Sequence, residues 1–177
     1  VEDIVDHECI YTDEQLTKTV DEILDSEDKT TNPIFALDCE WHGEYPTETN
    51  ACLRTVQFSH KPGYARCLVL HTEGRKPNLD LSKAIVVKEL RRLLVSTDNR
   101  KVRIAGHHLR ADLPWITLAL DRVLGEALIF QYRPAETPEK TATEGGFDTM
   151  LAAHAVTEAP GAVGFKLEVL ANRVLGL

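Results

Sequence analysis

Three carboxylates carry the chemistry open to this chain. Asn32-Pro33-Ile34-Phe35-Ala36-Leu37-Asp38-Cys39-Glu40-Trp41 is an apolar run that delivers two acids separated by one residue. It predicts a buried strand: Pro33 limits pairing at its start, Ile34 to Leu37 favour cover on both faces, and the two-residue side-chain period aims Asp38 and Glu40 the same way. Cys39 then points to the opposite face. Like charges held side by side repel and are costly to bury, so the pair makes most sense around a cation, and acidic oxygens suit Mg²⁺ or Mn²⁺. Two solvated acids at a strand end satisfy the same pattern, so the rest of the chain decides.

With 177 residues, 43% of them hydrophobic, the chain predicts one domain with a sizeable core. Twenty Lys and Arg against 28 Asp and Glu leave a net charge of −8, which argues against nucleic-acid binding by bulk electrostatics alone. Nucleic acid is not thereby excluded, because an acidic metal site adds negative charge and a local basic patch can hold phosphates. Cys9, Cys39, Cys52 and Cys67 lie far apart in sequence, without metal-site spacing, and are expected to be reduced, partly buried thiols. No apolar run reaches membrane-spanning length and no secretion signal opens the chain, so a cytoplasmic protein with no membrane partner is expected. The first residue is Val rather than Met, which suggests a piece of a longer polypeptide.

The elements that must position the acids read as follows. Residues 8–11 form a short edge strand, and Thr12 caps a helix whose apolar face is Leu16, Val20, Ile23 and Leu24. After the acidic strand, 52–59 and 64–70 are strands joined by Lys61-Pro62-Gly63, giving a three-strand antiparallel meander. A helix follows from Leu81-Ser82, with Ile85, Val86, Leu90, Leu93 and Leu94 in one stripe. Val102 to Gly106 is a strand that runs into a helix with Asp112 as N-cap and Pro114 in the first turn, ending near Gly125. Residues 131–146 are a polar insertion. Phe147-Asp148-Thr149 ends a strand and enters a helix to Val156, and a last helix, 167–174, closes at Gly176. The order predicts an α/β fold, a mixed sheet flanked by helices, in which the strand before Asp112 can lie beside the acidic strand. Asp38, Glu40 and Asp112 then converge, and an all-carboxylate cluster favours two hard divalent ions roughly 3.5–4 Å apart, the recurring arrangement for phosphodiester chemistry.

Phe35-Ala36-Leu37-Asp38-Cys39-Glu40 resembles the first motif of the DnaQ-like 3′–5′ exonucleases with four acidic residues, and Gly106-His107-His108-Leu109-Arg110-Ala111-Asp112 resembles the second. Phe147 to His154, with Leu167 to Gly176, resembles the proofreading domain of family A DNA polymerases and the related ribonuclease D group. The resemblance covers nearly the whole chain and implies a ribonuclease H-like fold. It further implies that Asp38 and Glu40 hold the metal that activates water, that Asp38 reaches a second metal, and that Asp112 completes the site. The reaction would release 3′-terminal nucleotides from a single-stranded end of DNA, with RNA possible, beside a C-terminal polymerase domain in a bacterial or phage setting. His108 stands where relatives often have Asn and either contacts substrate or the metal shell or packs beside the strand end. Trp41 and His42 follow the acid pair where relatives meet the terminal nucleotide, so a base can stack there; a core Trp with a solvated His is the other reading. Asp148 is expected to be structural. The family's fourth acid lies in a Tyr-x-x-x-Asp or His-x-Ala-x-x-Asp motif, and no Asp follows Asp148. His154 to Glu158 imitates part of that spacing but falls too early. Truncation before the last motif is therefore expected, with weak or no activity in this piece. Two alternatives stand beside proofreading: a ribonuclease D-like exoribonuclease, and a non-catalytic exonuclease-fold module that positions nucleic acid or packs on a polymerase domain.

Overall fold

The computed structural model describes residues 6–25, 34–72, 79–94, 103–124, 147–156 and 166–175. Its strands are β1 (Asp6–Ile10), β2 (Ile34–His42), β3 (Cys52–Ser59), β4 (Tyr64–Val69), β5 (Arg103–Gly106) and β6 (Phe147–Asp148). Its helices are α1 (Asp13–Leu24), α2 (Ala84–Leu94), α3 (Leu109–Leu124), α4 (Thr149–Val156) and α5 (Leu167–Leu175). The strands form one mixed sheet in the order β1-β4-β3-β2-β5-β6. β2, β3 and β4 are the expected antiparallel meander, while β1 joins β4, β5 joins β2 and β6 joins β5 in parallel. This is the mixed sheet with flanking helices of the ribonuclease H-like exonuclease fold. The polar insertion at 131–146, the loop at 26–31, the closure at Gly176 and Glu158 lie outside the described residues.

Short-range chemistry sets α1. Thr12 Oγ1 accepts from the Gln15 N–H at 3.2 Å, and Gln15 Oε1 accepts from the Thr12 N–H at 3.0 Å, a reciprocal cap that closes two of the helix's open donors. Edge strand β1 is tied in from β4. The Arg66 guanidinium, 7% exposed, meets Asp6 at 2.8 Å and lies 4.0 Å over the Tyr64 ring.

One continuous core joins α1, α2 and α3 to a single face of the sheet. Leu16, Val20, Ile23, Val86, Leu90, Leu93, Ile116 and Leu120 are fully enclosed against Phe35, Val56, Phe58 and Leu68. The expectation that β2 is covered on both faces is therefore corrected. Phe35, Leu37 and Cys39 are buried, whereas Ile34, Ala36, Asp38 and Glu40 are exposed. A run of apolar residue types permits two-sided cover, but the three helices all pack on one side, and burial then follows the pleat. The cysteines also differ from expectation. Cys39 is buried and Cys52 and Cys67 are half-buried, but Cys9 is exposed; all four are free thiols.

Gly106 ends β5 because nothing larger fits. A Cβ there would lie 2.3 Å from the Leu109 Cδ2 atom and 2.9 Å from the Leu37 carbonyl oxygen, and Leu109 is fully buried. Gly106→Ala is expected to destabilise the chain by about 1–3 kcal/mol, the cost of overpacking against backbone, read as a lower urea midpoint with an unchanged slope. An unchanged midpoint would show that the strand end yields freely.

Candidate active site

Asp38 and Glu40 project from the same face of β2, as the strand period requires, and in the antiparallel register they stand opposite Gln57 and Thr55. The ladder slips immediately afterwards. Glu40 pairs with Thr55 but Trp41 pairs with Leu53, so Arg54 is an extra residue on β3, a bulge at the end of the acid pair.

The third acid arrives through an edge left open by β5. Pairing between β2 and β5 runs from Ile34–Arg103 to Ala36–Ala105, after which β5 ends at Gly106 and the chain turns into α3. Beyond Leu37, whose carbonyl meets Gly106, β2 has no β5 residue beside it, and Asp112 in the first turn of α3 reaches this notch, where the Cys39 N–H and the Asp38 charge both bear on its carboxyl. Asp112 is only 4% exposed. Burial, and next the charge of Asp38, push its carboxyl up to about 6, against the pull of the Cys39 N–H. The same site presses on Cys39, whose thiol is pushed up by burial and then by Asp112, Asp38 and Glu40.

Asp112 does not cap α3, contrary to the sequence expectation. The helix begins three residues earlier, at Leu109, and its cap comes from a distant strand. Asp148, 5% exposed, accepts from the His108 N–H at 3.1 Å and the Leu109 N–H at 2.8 Å, and also from Met150 at 2.9 Å and Leu151 at 3.2 Å. One carboxylate thus closes the first turns of both α3 and α4. His107 takes part as well, with its Nδ1 2.9 Å from Thr149 Oγ1, while Thr149 donates to the Gly106 carbonyl at 3.2 Å. Neither cross-strand link has a local signal in the sequence beyond the polar type of His107 and Thr149.

Residues 7–177 match the family model described as 3′–5′ exonuclease. The chain belongs to the 3′–5′ exonuclease family. No curated protein sequence matches it significantly. Among solved structures, it resembles the EXO domain of Aedes aegypti Nibbler (14% identity, 97% of this chain and 68% of that one, TM-score 0.55). It also resembles Escherichia coli RNase D (16% identity, 98% and 34%, TM-score 0.56) and the catalytic core of Trypanosoma brucei RRP6 (15%, 97% and 35%, TM-score 0.53). At these identities the likeness is one of fold, and the chain spans only about a third of the RNase D and RRP6 structures.

In this exonuclease domain the remaining candidates divide. Trp41 is half-buried and stacks on the buried Trp115, with ring centroids 5.2 Å apart and planes 18° from parallel, so one ring face is occupied from within. His42 is exposed. His108 is exposed too, so its ring does not pack beside the strand end; its backbone adopts φ 64°, the left-handed turn that swings the chain from β5 into α3.

The donor chemistry fits a hard cation. Oxygen is the only ligand atom that Asp38, Glu40 and Asp112 offer, and the buried member of the set carries charge pressure from another acid. Among the described residues, no group of three or more His, Cys, Asp or Glu side chains lies where it could hold a metal ion, so the expected convergence of Asp38, Glu40 and Asp112 into such a group is not found in the metal-free chain. No helix among them is long and apolar enough to cross a membrane.

Proposed function

We propose that this domain is a metal-dependent 3′–5′ exonuclease that removes terminal nucleotides from a single-stranded DNA end, as a proofreading module does beside a family A-type polymerase domain. The observation that carries the reading is the desolvated Asp112 carboxylate, buried near Cys39 at the open edge of β2 and within reach of the Asp38 charge. Asp38, Glu40 and Asp112 would hold two Mg²⁺ or Mn²⁺ ions, which when bound polarise the scissile phosphate and lower the pKa of the attacking water. The protein supplies the positions. Asp38 and Glu40 are fixed by strand register, and Asp112 by α3, whose first turn Asp148 holds. The half-exposed ring of Trp41, braced by Trp115, offers a surface on which the terminal base stacks, and His42 and His108 flank the acids as substrate contacts. Asp38, Glu40 and Asp112 supply three acids of the four-acid pattern.

Asp38→Ala with Glu40→Ala in the full-length protein is expected to lower Mg²⁺-dependent shortening of a labelled single-stranded DNA by ~10³-fold or more while leaving the melting temperature within a few degrees. Survival of the degradation would remove these residues from the site. The second reading is an exoribonuclease, favoured by the fold likeness to RNase D, whose own description is of an exoribonuclease in structured RNA processing. DNA and RNA strands of one sequence separate the two: preferential loss of the RNA overturns the polymerase assignment. No degradation of either strand by the full-length protein would favour a nucleic-acid-positioning module.

A further inference from the structure

We propose that Cys9 and Cys67 form a reversible disulfide that clamps edge strand β1 to β4, with a low-molecular-weight disulfide as the oxidant. The two residues are direct partners in the parallel β1–β4 register. Adjacent strands are ~4.8 Å apart, inside the ~4.4–6.8 Å range of Cα separations that a disulfide spans. Both thiols are free, and they lie close enough for Cys9 to bear on the Cys67 thiol. Neither other cysteine has such a neighbour in register: Cys39 faces Val56 and Cys52 faces His42.

Exposure separates the roles. Cys9 is exposed and meets the oxidant, whereas Cys67 is half-buried and its thiol is pushed up, first by burial and then by Cys9. The Cys9 sulfur, as thiolate, attacks the small disulfide RSSR, forming Cys9–S–SR and releasing RS⁻, which takes up the Cys9 proton. The Cys67 sulfur, on losing its proton, then attacks the Cys9 sulfur and expels the second RS⁻, which takes that proton. Two thiols are oxidised by two electrons, one RSSR is reduced to two RSH, and the cross-strand S–S bond remains.

The pair belongs to a longer row. Cys9, Cys67, Gln57 and Asp38 are successive partners across β1, β4, β3 and β2. Two strand spacings, ~10 Å, separate Cys67 from Asp38, so the bond leaves the acids uncovered. Its effect falls on β1, which enters the sheet as an edge strand and leads directly into α1.

The test equilibrates the whole chain with reduced and oxidised glutathione over a range of ratios, alkylates free thiols and maps the peptides by mass. The expected result is one peptide pair, containing Cys9 and Cys67, joined and lighter by two hydrogens, restored by dithiothreitol, and a melting temperature higher by ~10 °C in the oxidised protein. Cys9→Ser and Cys67→Ser should each abolish the link and the shift, and Cys39→Ser with Cys52→Ser should keep both. A stable glutathione adduct on Cys9 with Cys67 still alkylated at every ratio would overturn the proposal, as would a link made through Cys39 or Cys52. Each outcome is read by mass and stability, independently of any nuclease activity.

Discussion

Asp112→Asn should abolish the proposed metal-dependent cleavage and make the metal-free chain more stable. The activity loss is expected at ~10³-fold, the scale of removing one group that stabilises developing charge. The stability gain follows from linkage. The folded carboxyl titrates at about 6 against 3.8 for the ordinary group, so the native state holds this proton more tightly than the unfolded chain does. The stabilisation is complete below pH ~3.8 and is lost as pH rises through 6, a difference of about 3 kcal/mol for a side chain so buried. Asn is nearly the same size and never ionises. In chelator, urea melts at pH 8 should therefore favour the variant by about 1–2 kcal/mol, and the gap should close towards pH 4. Added Mg²⁺ should raise the wild-type midpoint alone. A variant less stable at pH 8 in chelator would mean that the carboxylate is a structural anchor rather than a charge waiting for a cation.

Asp148→Ala is expected to be the most damaging single change to the fold around the site, at about 3–5 kcal/mol. Four backbone donors, two at each helix start, lose their acceptor together, and an open cap alone costs about 1 kcal/mol. Asp148→Asn should recover only part. Oδ1 takes three of the four N–H groups and Oδ2 takes Leu109, so the amide nitrogen of Asn would face a donor with a donor. Equilibrium unfolding orders the three proteins, with hydrogen exchange at Leu109 and Met150 locating the loss. Equal damage from Ala and Asn, confined to α4, would show that α3 does not depend on this residue.

These two acids mark how far the sequence could be read. The meander was legible because its turn and alternating strands are local, and the shared face of Asp38 and Glu40 was legible because strand alternation is local too. Asp148 was recognised as structural, but Asp112 was assigned the cap that Asp148 supplies. The local sequence before Asp112 and Pro114 has the form of a helix start, and nothing nearby reports that a strand paired in parallel to β5 will bring a better acceptor. His108 in the left-handed region makes the earlier start possible, a backbone choice that its residue type permits but does not announce.

Two-sided cover of β2 failed for a related reason. Apolar composition states what a strand tolerates, and only helix placement decides which face receives it. By itself, the sequence determined that Asp38 and Glu40 share a face, because side-chain alternation along a strand needs no information from elsewhere. Tertiary structure alone decided that Asp112 is buried in a notch where β5 ends, that its carboxyl rises to about 6, and that Cys9 lies beside Cys67. Each of those depends on contacts between segments far apart in the chain, and desolvation and charge coupling exist only once such segments have met.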